Sequence, residues 1–138
     1  MCEDVIAEKF DFTKEVNKYY PNAEVVNTTL KDIYNLNGKR GKGTEQTRKK
    51  GVYALYYENK LKKIGKATDK NGIFHRMSQY YRGDKKGGLT QINTTNKDDI
   101  VVLCFNPDEK ECWFAERRLQ VIAHDCGEEM PWENTSRN

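Results

Sequence analysis

Three polar side chains fall on consecutive predicted elements in the middle of the 138-residue chain. Tyr53 lies in the apolar run VYALYY, Lys63 in the KIG that follows it, and Arg76 in the periodic stretch after that. An ammonium close to a phenol favours the phenolate and stabilises negative charge on a phosphate. A guanidinium can clamp such an anion through paired hydrogen bonds. The three residues are therefore candidates for one site that acts on phosphate.

The elements that must position these side chains are a β-hairpin and a helix. Aromatic and β-branched residues predict two strands between Gly51 and Gly65, with a turn at Glu58-Asn59. A polar connection then leads to a helix with the buried stripe Ile73, Met77, Tyr80 and Tyr81. Tyr80 lies one turn beyond Arg76, so this arrangement brings the phenol, the lysine and the arginine within reach of one another.

The rest of the chain predicts further helices and one more strand. Helical patterns cover residues 3–20 and 29–36, and the β-branched run at 99–105 predicts a strand beside the hairpin. Asn106 as N-cap, Pro107 at the first helical position and Glu109 in a capping box predict a helix start. Glu116 lies beside the apolar stripe of that helix. The fold class expected is α+β.

Charge is strongly partitioned along the chain. Residues 1–37 carry four Lys/Arg against seven Asp/Glu, residues 38–90 carry fifteen against four, and residues 91–138 carry five against ten. A basic centre with acidic flanks suits a nucleic-acid partner, although a lysine-rich solvated surface explains part of the signal. Residues 38–50 are expected to form a flexible basic loop, and residues 82–97 a second loop. The candidate DNA-binding residues are Lys39, Arg40, Lys42, Arg48, Lys49, Lys50, Lys66, Arg82, Lys85 and Lys86.

Several classes of protein are disfavoured. No run approaches the ~18 apolar residues of a membrane span, and the acidic N-terminus lacks a signal-peptide core, so the expected location is the cytoplasm, or the host cytoplasm if the protein is phage-encoded. The spacing of GKRGKG does not match a nucleotide-binding phosphate loop. Free thiols are the favoured state of the cysteines. A zinc site of Cys104, Cys112, His124 and Cys126 is a minor alternative, because no CxxC knuckle is present.

With these residues in place, the chain resembles the GIY-YIG nucleases. GVY at 51–53 and KIG at 63–65 fit the two signatures at the family spacing. Arg76 matches the family arginine, Glu116 the metal-binding glutamate, and Asn134 is a candidate for the C-terminal asparagine. Some members of the family have a histidine after the arginine, and in this chain Tyr80 occupies the position four residues after Arg76. Lys63 replaces the tyrosine of the second signature, which points to a phage-type or restriction-type member.

The resemblance implies a three-stranded antiparallel sheet flanked by helices, with residues 1–50 as an N-terminal helical extension and basic loop and residues 51–138 as the nuclease core. It also implies hydrolysis of DNA phosphodiesters with Mg²⁺ or Mn²⁺ bound by Glu116. The catalytic residues expected from it are Tyr53, Lys63, Arg76, Tyr80, Glu116 and Asn134. A homodimer or larger assembly on double-stranded DNA is expected, since one site cuts one strand. A structure-selective repair nuclease and a non-catalytic DNA-binding module remain as alternatives.

Overall fold

The computed structural model describes residues 9–36 and 44–132, which form an α+β fold around a four-stranded antiparallel sheet. The strands are β1 (Val26–Thr29), β2 (Gly51–Tyr57), β3 (Lys60–Ala67) and β4 (Val101–Phe105), in the order β1-β4-β2-β3. The hairpin and its contact with the later strand are confirmed. The expected number of three strands is wrong, because β1 adds a fourth at the edge beside β4.

Five α-helices occur within the described residues, and they cover both faces of the sheet. They are α1 (Phe12–Tyr19), α2 (Leu30–Leu36), α3 (Thr44–Thr47), α4 (Gly72–Arg82) and α5 (Cys112–Asp125). Buried residues of α2 and α4 form one apolar cluster with the sheet, and those of α1 and α5 form a second cluster. None of the helices in residues 9–36 and 44–132 is both long and apolar enough to cross a membrane.

Strand β2 lies between the two clusters and supplies side chains to each of them. Successive side chains of a strand point to opposite faces of its sheet. Tyr53 and Leu55 accordingly belong to the cluster under α2 and α4, while Val52 and Ala54 belong to the cluster under α1 and α5. Because both faces of β2 are buried, its sequence is a continuous apolar run rather than an alternating one.

Local capping sets the starts of α1 and α2, whereas the start of α5 differs from expectation. Thr29 caps α2, because its hydroxyl oxygen accepts a hydrogen bond from the Asp32 amide at 3.0 Å. Asp11 caps α1 in the same way, and the first part of the helix expected at 3–20 lies outside the described residues.

The expected start of α5 at Asn106 and Pro107 is wrong. A 3₁₀ turn at Glu109–Glu111 comes first, and α5 begins at Cys112. The Asn106 amide side chain does not cap the helix. It donates hydrogen bonds to the backbone carbonyls of Gln46 and Lys50, at 3.0 and 2.9 Å. A tertiary contact has thus taken the side chain that the capping pattern assigned to the helix.

The expectation of a flexible loop over residues 38–50 is wrong for its last part. Residues 44–47 form α3, and Thr47 is buried. The Lys49 carbonyl accepts a hydrogen bond from the Ile73 amide at 3.1 Å. Gly72 has φ +43°, and a side chain there would collide with the Lys49 carbonyl oxygen. This contact holds the basic segment against the start of α4.

Candidate active site

A cleft of about 790 Å³ crosses the edge strand β3 between α4 and α5. Its lining contains five of the six predicted catalytic residues, namely Tyr53, Lys63, Arg76, Tyr80 and Glu116. The sixth, Asn134, lies outside the described residues. Met130 and Trp132 are buried, so the chain does dock on the domain just before that position. The side chains from β2, β3, α4 and α5 therefore face one cavity, as the predicted elements required.

The position of Tyr53 depends on Gly65. The two residues are directly paired across β2 and β3, so their side-chain positions lie on the same face of the sheet. A Cβ atom at residue 65 would lie only 2.5 Å from the Tyr53 hydroxyl oxygen and 2.7 Å from its Cζ. Glycine in the second signature is therefore needed to leave room for the tyrosine of the first.

Tyr53 is almost fully buried, at 1% exposure, and its hydroxyl pairs with that of Tyr80 at 2.5 Å. Burial raises the pKa of Tyr53 well above its usual value, and the electrostatic interaction and hydrogen bond with Tyr80 raise it further. The Arg76 guanidinium lowers this pKa, but by less. Tyr53 is therefore a neutral phenol at physiological pH.

This result differs from the expectation that Lys63 favours the Tyr53 phenolate. Lys63 does line the cleft, two residues before Gly65 on the same strand. The net shift of the Tyr53 pKa is nevertheless upward, because desolvation of the buried phenolate outweighs the attraction of the Arg76 guanidinium. Tyr53 thus presents a neutral hydroxyl, bonded to that of Tyr80, in the lining of the cleft.

Arg76 has one nitrogen whose hydrogen-bonding capacity is unused. Its Nε is buried and has no acceptor among the described residues. Its Nη2 lies 3.8 Å from the Asp69 Oδ2, and the Asp69 side chain is 65% exposed. A buried donor without an acceptor is costly, and an anion in the cleft would satisfy it. The Arg76 guanidinium therefore has a donor available for an oxygen atom of a bound anion.

Glu116 reaches the cleft from α5 and faces Lys66. Its Oε1 lies 3.5 Å from the Lys66 Nζ, and its side chain is 18% exposed. Gln120, one turn later, donates a hydrogen bond to the Ile64 carbonyl at 2.8 Å, which fixes this flank of α5 to the edge strand. The carboxylate is therefore held in place and partly open to solvent.

A single carboxylate fits Mg²⁺, which commonly takes one or two protein carboxylates and completes its shell with water and substrate phosphate. Within the described part of the chain, no three His, Cys, Asp or Glu side chains are close enough to hold a metal together. The four zinc candidates therefore do not converge. Cys104, Cys112 and Cys126 are free thiols, and burial raises the pKa of the Cys104 thiol to about 12.

The cleft has a basic lining. Five of its residues are cationic and two are acidic, which is a formal excess of three positive charges. Lys66, Lys85 and Lys86 from the candidate DNA-binding set line it, whereas Arg82 lies outside the lining and binds Asp84 at 2.8 Å. Arg48, Lys49 and Lys50 line a separate opening. Lys39, Arg40 and Lys42 lie outside the described residues.

Three features of this site were not predicted from the sequence. These are the contact of Lys66 with Glu116, the contact of Asp69 with Arg76, and the cleft wall formed by residues 83–92. In that wall Leu89 and Ile92 are buried, so the second loop is anchored to the core. Two isolated apolar residues in a polar stretch were the available signal for this anchoring.

The buried phenols predict a loss of stability in alkali. The pKa of Tyr56 is also raised by burial, to about 12. Above the unfolded-state value of about 10, the unfolded chain loses phenolic protons that the folded state keeps, so stability present at neutral pH declines as pH rises toward the folded-state pKa. Each such group contributes a slope of about 1.4 kcal/mol per pH unit. Urea unfolding between pH 9 and 11.5 measures this slope.

The contribution of Tyr53 can be separated by substitution. Tyr53→Phe should flatten the decline by about 1 kcal/mol per pH unit, since one of the shifted phenols is removed. Tyr19→Phe serves as the control, because Tyr19 is exposed and should leave the slope unchanged. Equal slopes in wild type and Tyr53→Phe would contradict a raised pKa at Tyr53.

Comparison with protein-family models, with curated proteins and with solved structures finds no match. The resemblance to GIY-YIG nucleases therefore rests on the signature residues of the chain, and it remains a prediction.

Proposed function

We propose that this protein is a metal-dependent DNA endonuclease of GIY-YIG architecture that hydrolyses phosphodiester bonds. The observation that supports this most is the convergence of Tyr53, Lys63, Arg76, Tyr80 and Glu116, from four different elements, on one basic cleft. A phosphate in this cleft would meet both its cations and the Glu116 carboxylate. The buried Arg76 Nε would gain the acceptor that it otherwise lacks.

In the proposed reaction a water oxygen attacks phosphorus in line with the 3′ oxygen. The new P–O bond forms as the P–O3′ bond breaks; the attacking water releases a proton to solvent and the 3′ oxygen takes one up from solvent, leaving 5′-phosphate and 3′-hydroxyl ends. A bound Mg²⁺ or Mn²⁺ ion would supply charge stabilisation at the leaving oxygen. Glu116 would hold that ion, and Arg76 binds the non-bridging oxygens as charge builds on them.

The raised pKa of Tyr53 favours one of the two roles open to this residue, which are to orient the attacking water and to deprotonate it. Because its pKa is raised, Tyr53 orients the attacking water by hydrogen bonding instead of taking its proton as a phenolate. Lys63, on the same face of β3 as Gly65, stabilises the developing hydroxide and the phosphate charge. Lys63 is thus the cation that replaces the missing signature tyrosine.

The resemblance also guides the choice of substrate. Lys63 in the second signature suggests a phage-type or restriction-type enzyme that acts on double-stranded DNA. One cleft cuts one strand, so cutting of both strands requires two successive events or two copies of the chain. We therefore propose that the active assembly on duplex DNA is a homodimer or larger.

Cleavage of supercoiled plasmid tests this function with four variants. Wild type with Mg²⁺ or Mn²⁺ should yield nicked and then linear DNA. Lys63→Ala and Arg76→Ala should each lower the rate by about a hundredfold or more, since each removes one group that stabilises transition-state charge. Tyr53→Phe and Glu116→Ala should also be impaired. Lys60→Ala is the matched control, because Lys60 is exposed at the opposite end of β3.

Two outcomes would count against the proposal. Full activity in all four variants would show that the cleavage comes from another site or another protein. Inactive wild-type protein that still binds DNA would favour a non-catalytic binding module, while preferential cutting of branched over linear duplex DNA would favour a structure-selective nuclease.

A further inference from the structure

A second opening of about 620 Å³ lies near the start of α4 and the turn before α5. Four basic residues line it, together with two asparagines, a proline and two acids: Arg48, Lys49, Lys50, Lys70, Asn71, Asn106, Pro107, Asp108 and Glu109. The lining therefore has a formal excess of two positive charges. We call this opening the basic pocket.

Arg48 is a partly buried cation of the basic pocket and has an unused donor. Its guanidinium carbon lies 4.5 Å from the centre of the Phe74 ring, which fixes the plane of the group. Its Nη2 is buried and has no acceptor among the described residues. A guanidinium that stacks on an aromatic ring and keeps an N–H donor without an acceptor is well suited to bind a phosphate oxygen.

Two acids of this region are engaged by other cations, while Asp108, an exposed acid of the lining, makes no ion pair with a described residue. Glu109 binds Lys50 at 2.9 Å, and Glu45 lies 3.8 Å from Lys49. Arg48 makes no ion pair with another described residue. Lys70 likewise has none within residues 9–36 and 44–132, and it is exposed. Arg48 and Lys70 are therefore the two cations available to an added anion.

The backbone around the basic pocket is already anchored. The Lys50 carbonyl accepts a hydrogen bond from Asn106, and the Lys49 carbonyl accepts one from the Ile73 amide. The Gly72 amide donates to the Asp69 carbonyl at 2.8 Å. Because these groups are satisfied within the protein, an anion would be bound by the side chains on a preformed surface.

The basic pocket and the catalytic cleft are neighbours. Burial raises the pKa of the Cys112 thiol, and the charges that act on it include Lys50 and Glu109 from the basic pocket and Lys66 and Glu116 from the cleft. Glu109 lies in the 3₁₀ turn and Glu116 in α5, and a rise of about 2.0 Å per residue before Cys112 and about 1.5 Å after it places them about 12 Å apart along the segment. Because a strand winds around its axis as it rises about 3.4 Å per nucleotide, neighbouring phosphates are farther apart than this rise, and about two nucleotides span the distance.

We infer that the basic pocket is a second phosphate subsite, where Arg48 and Lys70 bind a backbone phosphate of the strand whose scissile phosphate lies in the cleft. The inference rests on the proposed function, because it assumes that the cleft binds a nucleic-acid backbone. It adds a substrate requirement. A strand must extend about two nucleotides beyond the cleft to reach the subsite, so very short oligonucleotides bind through the cleft alone.

A length series of oligonucleotides tests the subsite without any cleavage. The Glu116→Gln protein is titrated in EDTA and low salt with 5′-phosphorylated oligothymidylates of two to eight nucleotides. The affinity for the oligonucleotide should rise about tenfold in a single step as its length increases from three to five nucleotides. Amide resonances of residues 48–50 and 70–71 should shift only with oligonucleotides beyond that step. Lys70→Ala and Arg48→Met should remove the step, while Lys60→Ala should retain it.

The outcomes separate this inference from the proposed function. Arg48→Met keeps apolar contact with Phe74, and melting temperatures confirm that each variant is folded. If Lys70→Ala and Arg48→Met show the same rise in affinity with oligonucleotide length as the parent protein, the subsite is overturned, even if the enzyme cleaves DNA. A step that both substitutions remove would support it, even if no cleavage with Mg²⁺ is ever observed.

Discussion

Glu116→Gln should lower the rate of DNA cleavage by about a thousandfold or more, with little change in DNA affinity. The amide keeps the size of the side chain but removes the charge that would bind the divalent cation, and metal stabilisation of a leaving oxygen contributes several kcal/mol. The contact with Lys66 is also lost, but a partly exposed ion pair contributes only about 0–1 kcal/mol to stability. Folding should therefore be preserved.

Single-turnover cleavage and fluorescence anisotropy measure the two effects separately. Glu111→Gln is the matched control, because Glu111 is an exposed acid just before α5. This variant should cleave at the wild-type rate. A Glu116→Gln variant within a few fold of the wild-type rate would show that the metal is not held here. A parallel loss of binding and cleavage would instead indicate that Glu116 has a structural role.

Gly65→Ala should lower the cleavage rate by about a hundredfold and also destabilise the fold. The added methyl group would lie 2.5 Å from the Tyr53 hydroxyl oxygen, so the ring or the strand must move by about 1 Å. Tyr53 is buried and bonded to Tyr80, so it has little room to yield. Overpacking of this kind costs about 1–3 kcal/mol.

A double substitution tests the physical cause of this effect. In the Tyr53→Phe background the hydroxyl oxygen and its bond to Tyr80 are absent, so the ring can shift away from residue 65 although its Cζ is also close, and Gly65→Ala should cost less free energy of unfolding than it does in the wild type. Chemical denaturation of the four proteins in this cycle measures the difference. An unchanged melting temperature and full activity for Gly65→Ala would contradict the close packing of Tyr53 on Gly65.

The elements with strong local patterns were predictable from the sequence, and those set by tertiary contacts were not. The turn at Glu58-Asn59 and the apolar stripe of α4 are local signals, and both elements form as expected. The strand β1 has only four residues and two of them are threonines, so its pairing with β4 defines it more than its own composition. The start of α5 was mispredicted because Asn106 binds the Gln46 and Lys50 carbonyls instead.

At the site, too, features with a local sequence pattern were predictable and features set by tertiary contacts were not. The residue types and spacing predicted which side chains would meet, because strand pairing and helix periodicity bring Tyr53, Lys63 and Arg76 together. The protonation state of Tyr53 was not predictable, since it depends on complete burial and on Tyr80. The contact between Lys66 and Glu116 joins residues fifty positions apart, and no local pattern encodes it.

The most direct test of the central claim is cleavage of an end-labelled DNA duplex by purified wild-type protein and Arg76→Ala, with Mg²⁺ or with EDTA. We predict wild-type cleavage with Mg²⁺ that leaves 5′-phosphate ends, no cleavage in EDTA, and a rate at least about a hundredfold lower in Arg76→Ala. Absence of Mg²⁺-dependent cleavage by wild type, or equal rates in the two proteins, would contradict the account of this cleft as a phosphodiesterase site.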